Sequence, residues 1–153
     1  MTIDQKLFEM LFEQAKASSR LRANYDMRTS LDDTSQRMLN ALISGSEIPI
    51  HKHEDTAESV FCLCGRLDEV LFEEVVDYTN EAINTESEIS VEIARLEDSQ
   101  YVAKIVTYRE IERIHLCPAE GIYGCQVPKG VWHSVEVLEP SVIFEAKDGA
   151  YKG

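Results

Sequence analysis

The sequence predicts an all-β fold, a sandwich or barrel of short strands, preceded by one α-helix. Three observations predict it. Segments rich in Val, Ile, Leu and Tyr recur along most of the chain, several with strict alternation, which is strand patterning. Turn residues punctuate them at Gly45-Ser46, Gly65, Pro118, Gly121, Pro128 and Gly130. Only the N-terminal residues 3–17 show an apolar stripe of clear helical spacing, through Leu7, Phe8, Leu11, Phe12 and Ala15. At 153 residues and 44% hydrophobic, the chain fits one domain with a sizeable core, and no repeat or linker divides it.

Charge narrows the function. The formal net charge is −13, which disfavours nonspecific nucleic-acid binding, because phosphate contacts need clustered Lys and Arg. It equally disfavours an anionic membrane surface. The N-terminus lacks a basic region and the apolar run at 7–12 is interrupted by Glu9, so neither a signal peptide nor a membrane span is expected. A cytoplasmic location with four reduced cysteines is the expectation. Cys62 and Cys64 read as strand packing rather than a thiolate pair, and Cys117 and Cys125 read as structural.

Taken in order, the helix begins with Thr2 as cap and Gln5 three residues on, a capping-box pattern. Its stripe reads as a face laid on the exterior of the barrel, with a dimer contact as the alternative. Residues 20–28 alternate, so that Arg20, Arg22 and Asn24 share a face suited to carboxylate or phosphate oxygens. The alternative is an exposed face paired with surface acids. Residues 35–44 form the next strand, with Gln36, Met38, Asn40 and Leu42 on one side. Polar residues on such a face line a ligand cavity or are satisfied by backbone groups.

The chemistry concentrates in two phrases. The first runs from Gly45 to Gly65 and contains His51-Lys52-His53 and Glu58; the second is Pro128-Lys129-Gly130-Val131-Trp132-His133. Residues two apart on a strand share a face, so His51 and His53 can reach one point. Glu58 joins them if residues 54–57 form a turn that resets the parity, and Val60, Cys62 and Cys64 then share its face. His133 arrives from another strand, with Trp132 facing the opposite way. Three imidazoles and one carboxylate suit a divalent first-row metal, such as Zn, Fe, Mn or Ni.

After Gly65, which suits a bulge or bend, the strand continues through Leu67, Glu69 and Leu71. Residues 77–88 are polar and acidic. Thr85 and Glu88 can cap a short helix carrying Ile89, Ile93 and Leu96, although residues 90–94 also alternate as a strand would. Strands are expected at 101–108, 111–117, 123–127, 131–138 and 142–147, with a turn at 139–141. His115 belongs to no ligand spacing and reads as structural. Glu145 and Lys147 share one face of the last strand.

These phrases resemble the paired motifs of the cupin superfamily, G-x5-H-x-H-x4-E-x6-G and P-x-G-x2-H. The first matches at every fixed position. In the second, Ile122 stands where a leading Gly is expected and Val137 where a closing Asn is expected. The chain is further similar to the WbuC-type cupin fold metalloproteins. The likeness lies in Arg20-x-Arg22-x-Asn24, in the run from Gln36 to Leu42, and in the closing phrase from Phe144 to Tyr151. Asp26 and Ala150 depart from that family, which has His and Pro there.

The resemblance implies a double-stranded β-helix, or jelly-roll barrel, with one divalent metal held by His51, His53, Glu58 and His133. It also implies ligand contacts from Arg20, Arg22, Asn24, Gln36, Asn40, Glu145, Lys147 and Tyr151, a small-molecule ligand, pairing into a homodimer, and a link to surface-polysaccharide biosynthesis. Two functions fit: a small metalloenzyme acting on a carbohydrate or other oxygen-rich molecule, or a noncatalytic metal-dependent binder of one.

Overall fold

A computed structural model describes residues 1–79, 90–95 and 101–149. The chain forms α1 (Gln5–Ala17), β1 (Arg22–Asp26), β2 (Ser35–Leu42), β3 (Glu58–Thr79), β4 (Ser90–Arg95), β5 (Tyr101–Leu116), a 3-10 turn (Pro118–Glu120), β6 (Gly124–Val127) and β7 (Trp132–Asp148). The strands make one sheet in the order β1-β2-β7-β3-β5-β4, with β6 added to β3. All pairings are antiparallel. The architecture is therefore mostly β with an N-terminal helix, as the alternation and the single helical stripe predict.

The helix starts two residues later than its sequence suggests. Asp4, not Thr2, is the N-cap, and its Oδ1 accepts from Leu7 N at 3.0 Å. A carboxylate serves well there because it satisfies an orphan N–H and complements the positive helix terminus. Phe8, Leu11 and Ala15 are buried, and Leu7 and Phe12 partly so, against Leu39, Ala41 and Val142. The stripe is thus seated on one side of the β1-β2-β7 layer. A second apolar cluster, built from Leu42, Val60, Cys62, Leu67, Leu71, Leu116, Val127 and Ile143, fills the other side.

Strands are longer and fewer than the turn residues imply. The segments expected at 101–108 and 111–117 are one strand, β5, with an irregularity where Leu71 pairs with Glu112 and Phe72 with Glu110, so that Ile111 is the extra residue. The segments at 131–138 and 142–147 are likewise one strand, β7, continuing through Pro140. Pro140 has no N–H to give a ladder, and it is tolerated because the β3–β7 register shifts there, between Cys62 and Leu67. Residues 90–95 form β4 rather than the alternative short helix.

Gly65 explains the shift. Its φ is +91°, and a Cβ there would stand 2.2 Å from Pro140 O. Only glycine permits both the conformation and the approach. Ser141 Oγ closes the corner, accepting from Arg66 N at 2.9 Å. The corner changes which side chains face inward. Val60 and Cys62 share the inner cluster with Glu58's face as expected, but Cys64 turns to the helix side. Beyond the corner the odd residues Leu67 and Leu71 take the inner positions.

Candidate functional site

The two phrases meet through their backbones. His51 N donates to His133 O at 3.0 Å and His133 N to His51 O at 2.8 Å, while Gly130 N donates to His53 O at 2.8 Å. His51 and His53 therefore do not lie on a regular strand as expected; a single β-bridge to His133 fixes their position instead. Pro49 interrupts ladder pairing just before them, since it carries no N–H. Gly130, at φ +76°, turns the chain into β7 and delivers His133 to the bridge.

Two of the imidazoles are held in a defined tautomer. His51 Nδ1 lies 2.8 Å from Pro49 O and His133 Nδ1 lies 3.0 Å from Val131 O. A carbonyl oxygen can only accept, so each Nδ1 carries the hydrogen and each neutral ring keeps a lone pair on Nε2. Burial pushes the His133 imidazole down to about 4, despite the Val131 carbonyl's opposing pull, so it is neutral at physiological pH.

One ring nitrogen from each of His51, His53 and His133 lies within 4.8 Å of the others. Glu58, buried at the start of β3, closes the group: its Oε2 is 2.9 Å from His53 Nε2 and its Oε1 is 4.0 Å from His133 Nε2. Despite the short His53–Glu58 separation, the bonding angles are wrong for a hydrogen bond, and both His53 Nε2 and His133 Nε2 are buried without a partner. Buried polar atoms are ordinarily paired. Neutral imidazole lone pairs beside a carboxylate, lacking mutual hydrogen bonds, form a donor set that fits a divalent cation.

These residues border a cavity of about 950 Å³. Arg20, Arg22 and Asn24 from the β1 segment, Gln36 and Asn40 from β2, and Glu145 and Lys147 from β7 all line it. The register accounts for the grouping, since Arg22 pairs with Leu42, Asn24 with Asn40 and Gln36 with Lys147. Asn40 Nδ2 donates to Glu145 Oε1 at 3.0 Å. Tyr151 lies outside the described residues. Trp132 takes no part in the lining; its ring sits 4.8 Å from that of Tyr108, with Lys52 Nζ 4.8 Å above it.

One buried polar residue of the cavity was not singled out by the sequence. Glu69, 1% exposed, lines it beside His133 and Glu145, and its Oε2 has no partner. Burial first, then the charges of Glu58 and Glu145, push its carboxyl well above the usual range. Burial likewise pushes Glu145 up to about 8, with Glu58 adding to it and the Asn40 bond opposing. Glu145 is thus able to hold a proton near neutral pH, and burial favours the neutral form of Glu69. The signal for Glu69 was its place between the inward-facing Leu67 and Leu71.

A sequence profile for a domain of unknown function, DUF6016, matches residues 3–83, more than half of the chain. The chain belongs to the DUF6016 family. The matched region carries α1, β1, β2 and β3, and with them His51, His53, Glu58 and Glu69; His133 lies beyond it. No curated protein matches this DUF6016 chain. Among its described residues no helix is long and apolar enough to cross a membrane.

Proposed function

We propose that this DUF6016 protein is a cupin-type metalloprotein. It holds one divalent first-row metal through His51, His53, Glu58 and His133, and acts as a small metalloenzyme on a carbohydrate or other oxygen-rich molecule in the adjoining cavity. The carrying observation is the convergence of ring nitrogens on one buried point beside Glu58, with His53 Nε2 and His133 Nε2 unpartnered there. Carbonyl bonds to Nδ1 of His51 and His133 support the reading, because ligating histidines characteristically donate their other ring N–H in this way. When bound, the metal supplies Lewis-acid polarisation of a ligand oxygen or redox chemistry, according to its identity.

The cavity supports the ligand class. Gln36 Oε1 and Glu69 Oε2 are buried acceptor-type atoms without partners, and both residues line it. A ligand bearing hydroxyls would satisfy them, while Arg20, Arg22 and Lys147 suit an acidic substituent on the same molecule. Glu69 and Glu145 favour an enzyme over a passive binder, because each can hold a proton that ligand binding alone would not require. The WbuC-like features, several of them on the cavity wall, support a jelly-roll barrel and a role connected with surface polysaccharides.

Chelator-treated protein titrated calorimetrically with Mn²⁺, Ni²⁺ or Zn²⁺ tests the site. At least one of these ions should bind with an equivalent that His133→Ala abolishes. Identical isotherms for native protein and variant would remove the basis of the proposal. A screen of sugars and sugar acids for metal-dependent thermal stabilisation then tests the ligand class, and conversion of a hit, lost in Glu69→Gln with binding kept, separates enzyme from binder.

A further inference from the structure

A second cluster lies at the end of β5, away from the cavity. His115, Cys117 and Glu120 each offer a ligand atom, and these atoms lie within 4.8 Å of one another. The three come from one short segment whose backbone is already folded. Cys117 and Ile122 exchange hydrogen bonds of 2.8 and 3.1 Å, and Gly121, at φ +78°, donates to Pro118 O at 3.0 Å. His115 is anchored from the neighbouring strand, where Asp68 is its direct register partner. Asp68 Oδ1 lies 2.7 Å from Nδ1, leaving Nε2 turned toward Glu120 Oε2 at 2.9 Å.

A carboxylate on one ring nitrogen, with the other nitrogen facing a second carboxylate and a thiol close by, is the arrangement of ligating histidines. Ion pairing accounts for Asp68, His115 and Glu120, and Arg113 and Arg66 occupy the remaining oxygens of the two acids. The Cys117 sulfur, buried beside these groups, takes no part in that pairing. We propose that His115 Nε2, Cys117 Sγ and the Glu120 carboxylate form a second cation site, selective for a borderline-soft ion such as Zn²⁺, with Asp68 orienting the imidazole. A mixed nitrogen, sulfur and oxygen set with three protein ligands suits tetrahedral Zn²⁺ with one position left to solvent.

Binding would exchange two protons for the cation, one from His115 Nε2 and one from the Cys117 thiol, both released to solvent with no change of oxidation state. The step asks for small adjustments only. Tetrahedral bonds of about 2.0–2.1 Å to nitrogen and oxygen separate those atoms by roughly 3.3 Å, close to the present spacing, and the Glu120 side chain is 45% exposed and free to give.

Co²⁺ is the probe, because thiolate ligation gives it a near-ultraviolet charge-transfer band that nitrogen and oxygen ligands do not. Chelator-treated full-length protein should develop this band to one equivalent at neutral pH, and His51→Ala/His133→Ala should keep it. Cys117→Ser should lose it. Glu120→Gln, at an exposed position with little bearing on folding, should weaken Co²⁺ binding at this site at least tenfold. No band at saturating Co²⁺, a band that persists in Cys117→Ser, or unchanged affinity in Glu120→Gln would each overturn the assignment.

Discussion

Glu58 and Glu69 stand at an odd offset, eleven positions apart on β3, yet both line the same cavity. Strict alternation would send them to opposite faces. The shift of register at Gly65 reconciles them, by turning Cys64 outward and the odd residues beyond it inward. The corner therefore sets a second buried carboxyl on the wall of the cavity that the histidine cluster borders.

Gly65→Ala should cost at least about 1–3 kcal/mol of stability, because the residue would hold a positive φ and its Cβ would meet Pro140 O. Urea unfolding measures the loss. A variant as stable as the native chain would mean that the corner relaxes without strain.

His133→Ala should remove the stability that a metal held by the three histidines and Glu58 supplies. An ion present at a hundred times its dissociation constant stabilises the native state by about 2.7 kcal/mol, and that increment should vanish in the variant. Unfolding curves with and without added metal make the comparison. The effect of removing metal by chelation should be the mirror image in native protein and smaller by that increment in His133→Ala.

The carboxyls give metal-free protein a distinctive pH dependence. Glu145 ionises near 8 when folded and near 4.5 when unfolded, so its contribution falls as pH rises through that window. His133, depressed to about 4, adds stability only up to its unfolded value of 6.5. Between pH 6.5 and 8 the Glu145 contribution still falls, and His115, held up first by its bond to Asp68, acts with the same sign. Stability should therefore decline across that interval, with Glu145 contributing at most about 1.4 kcal/mol per pH unit. Glu145→Gln should flatten the slope, as chemical denaturation at several pH values would reveal.

Leu11→Ala should destabilise by roughly 2–5 kcal/mol, as large-to-small changes in packed cores do, because Leu11 is fully buried under α1. Met10→Ala, on the exposed side of the helix, should stay within about 0.5 kcal/mol. Equal effects would mean that the helix does not dock on the sheet through this stripe.

Much of this arrangement was legible in the sequence, and the exceptions share a cause. The helical stripe and the strand face of Gln36 and Asn40 follow from periodicity, which acts over a few residues. The gathering of His51, His53, Glu58 and His133 was legible through the resemblance of their two phrases to paired motifs, since a long-range bridge and not a regular strand brings His51 to His133. What escaped were long-range accommodations. Pro140 looked like a turn because the register shift that admits it depends on Gly65 of another strand. Ile111 is absorbed without ending β5 for a similar reason. Glu69 stayed hidden because its inward aim depends on that same corner, and the Asp4 cap was passed over for an earlier Thr.

Elemental mass spectrometry of protein purified without a metal-affinity column tests the central claim most directly. Native protein and a folded His51→Ala/His133→Ala variant would be compared for moles of each metal per chain. The account predicts that native protein carries about one equivalent more of Fe, Mn, Ni or Zn than the variant. Equal content in the two, with no difference after reconstitution, would contradict it.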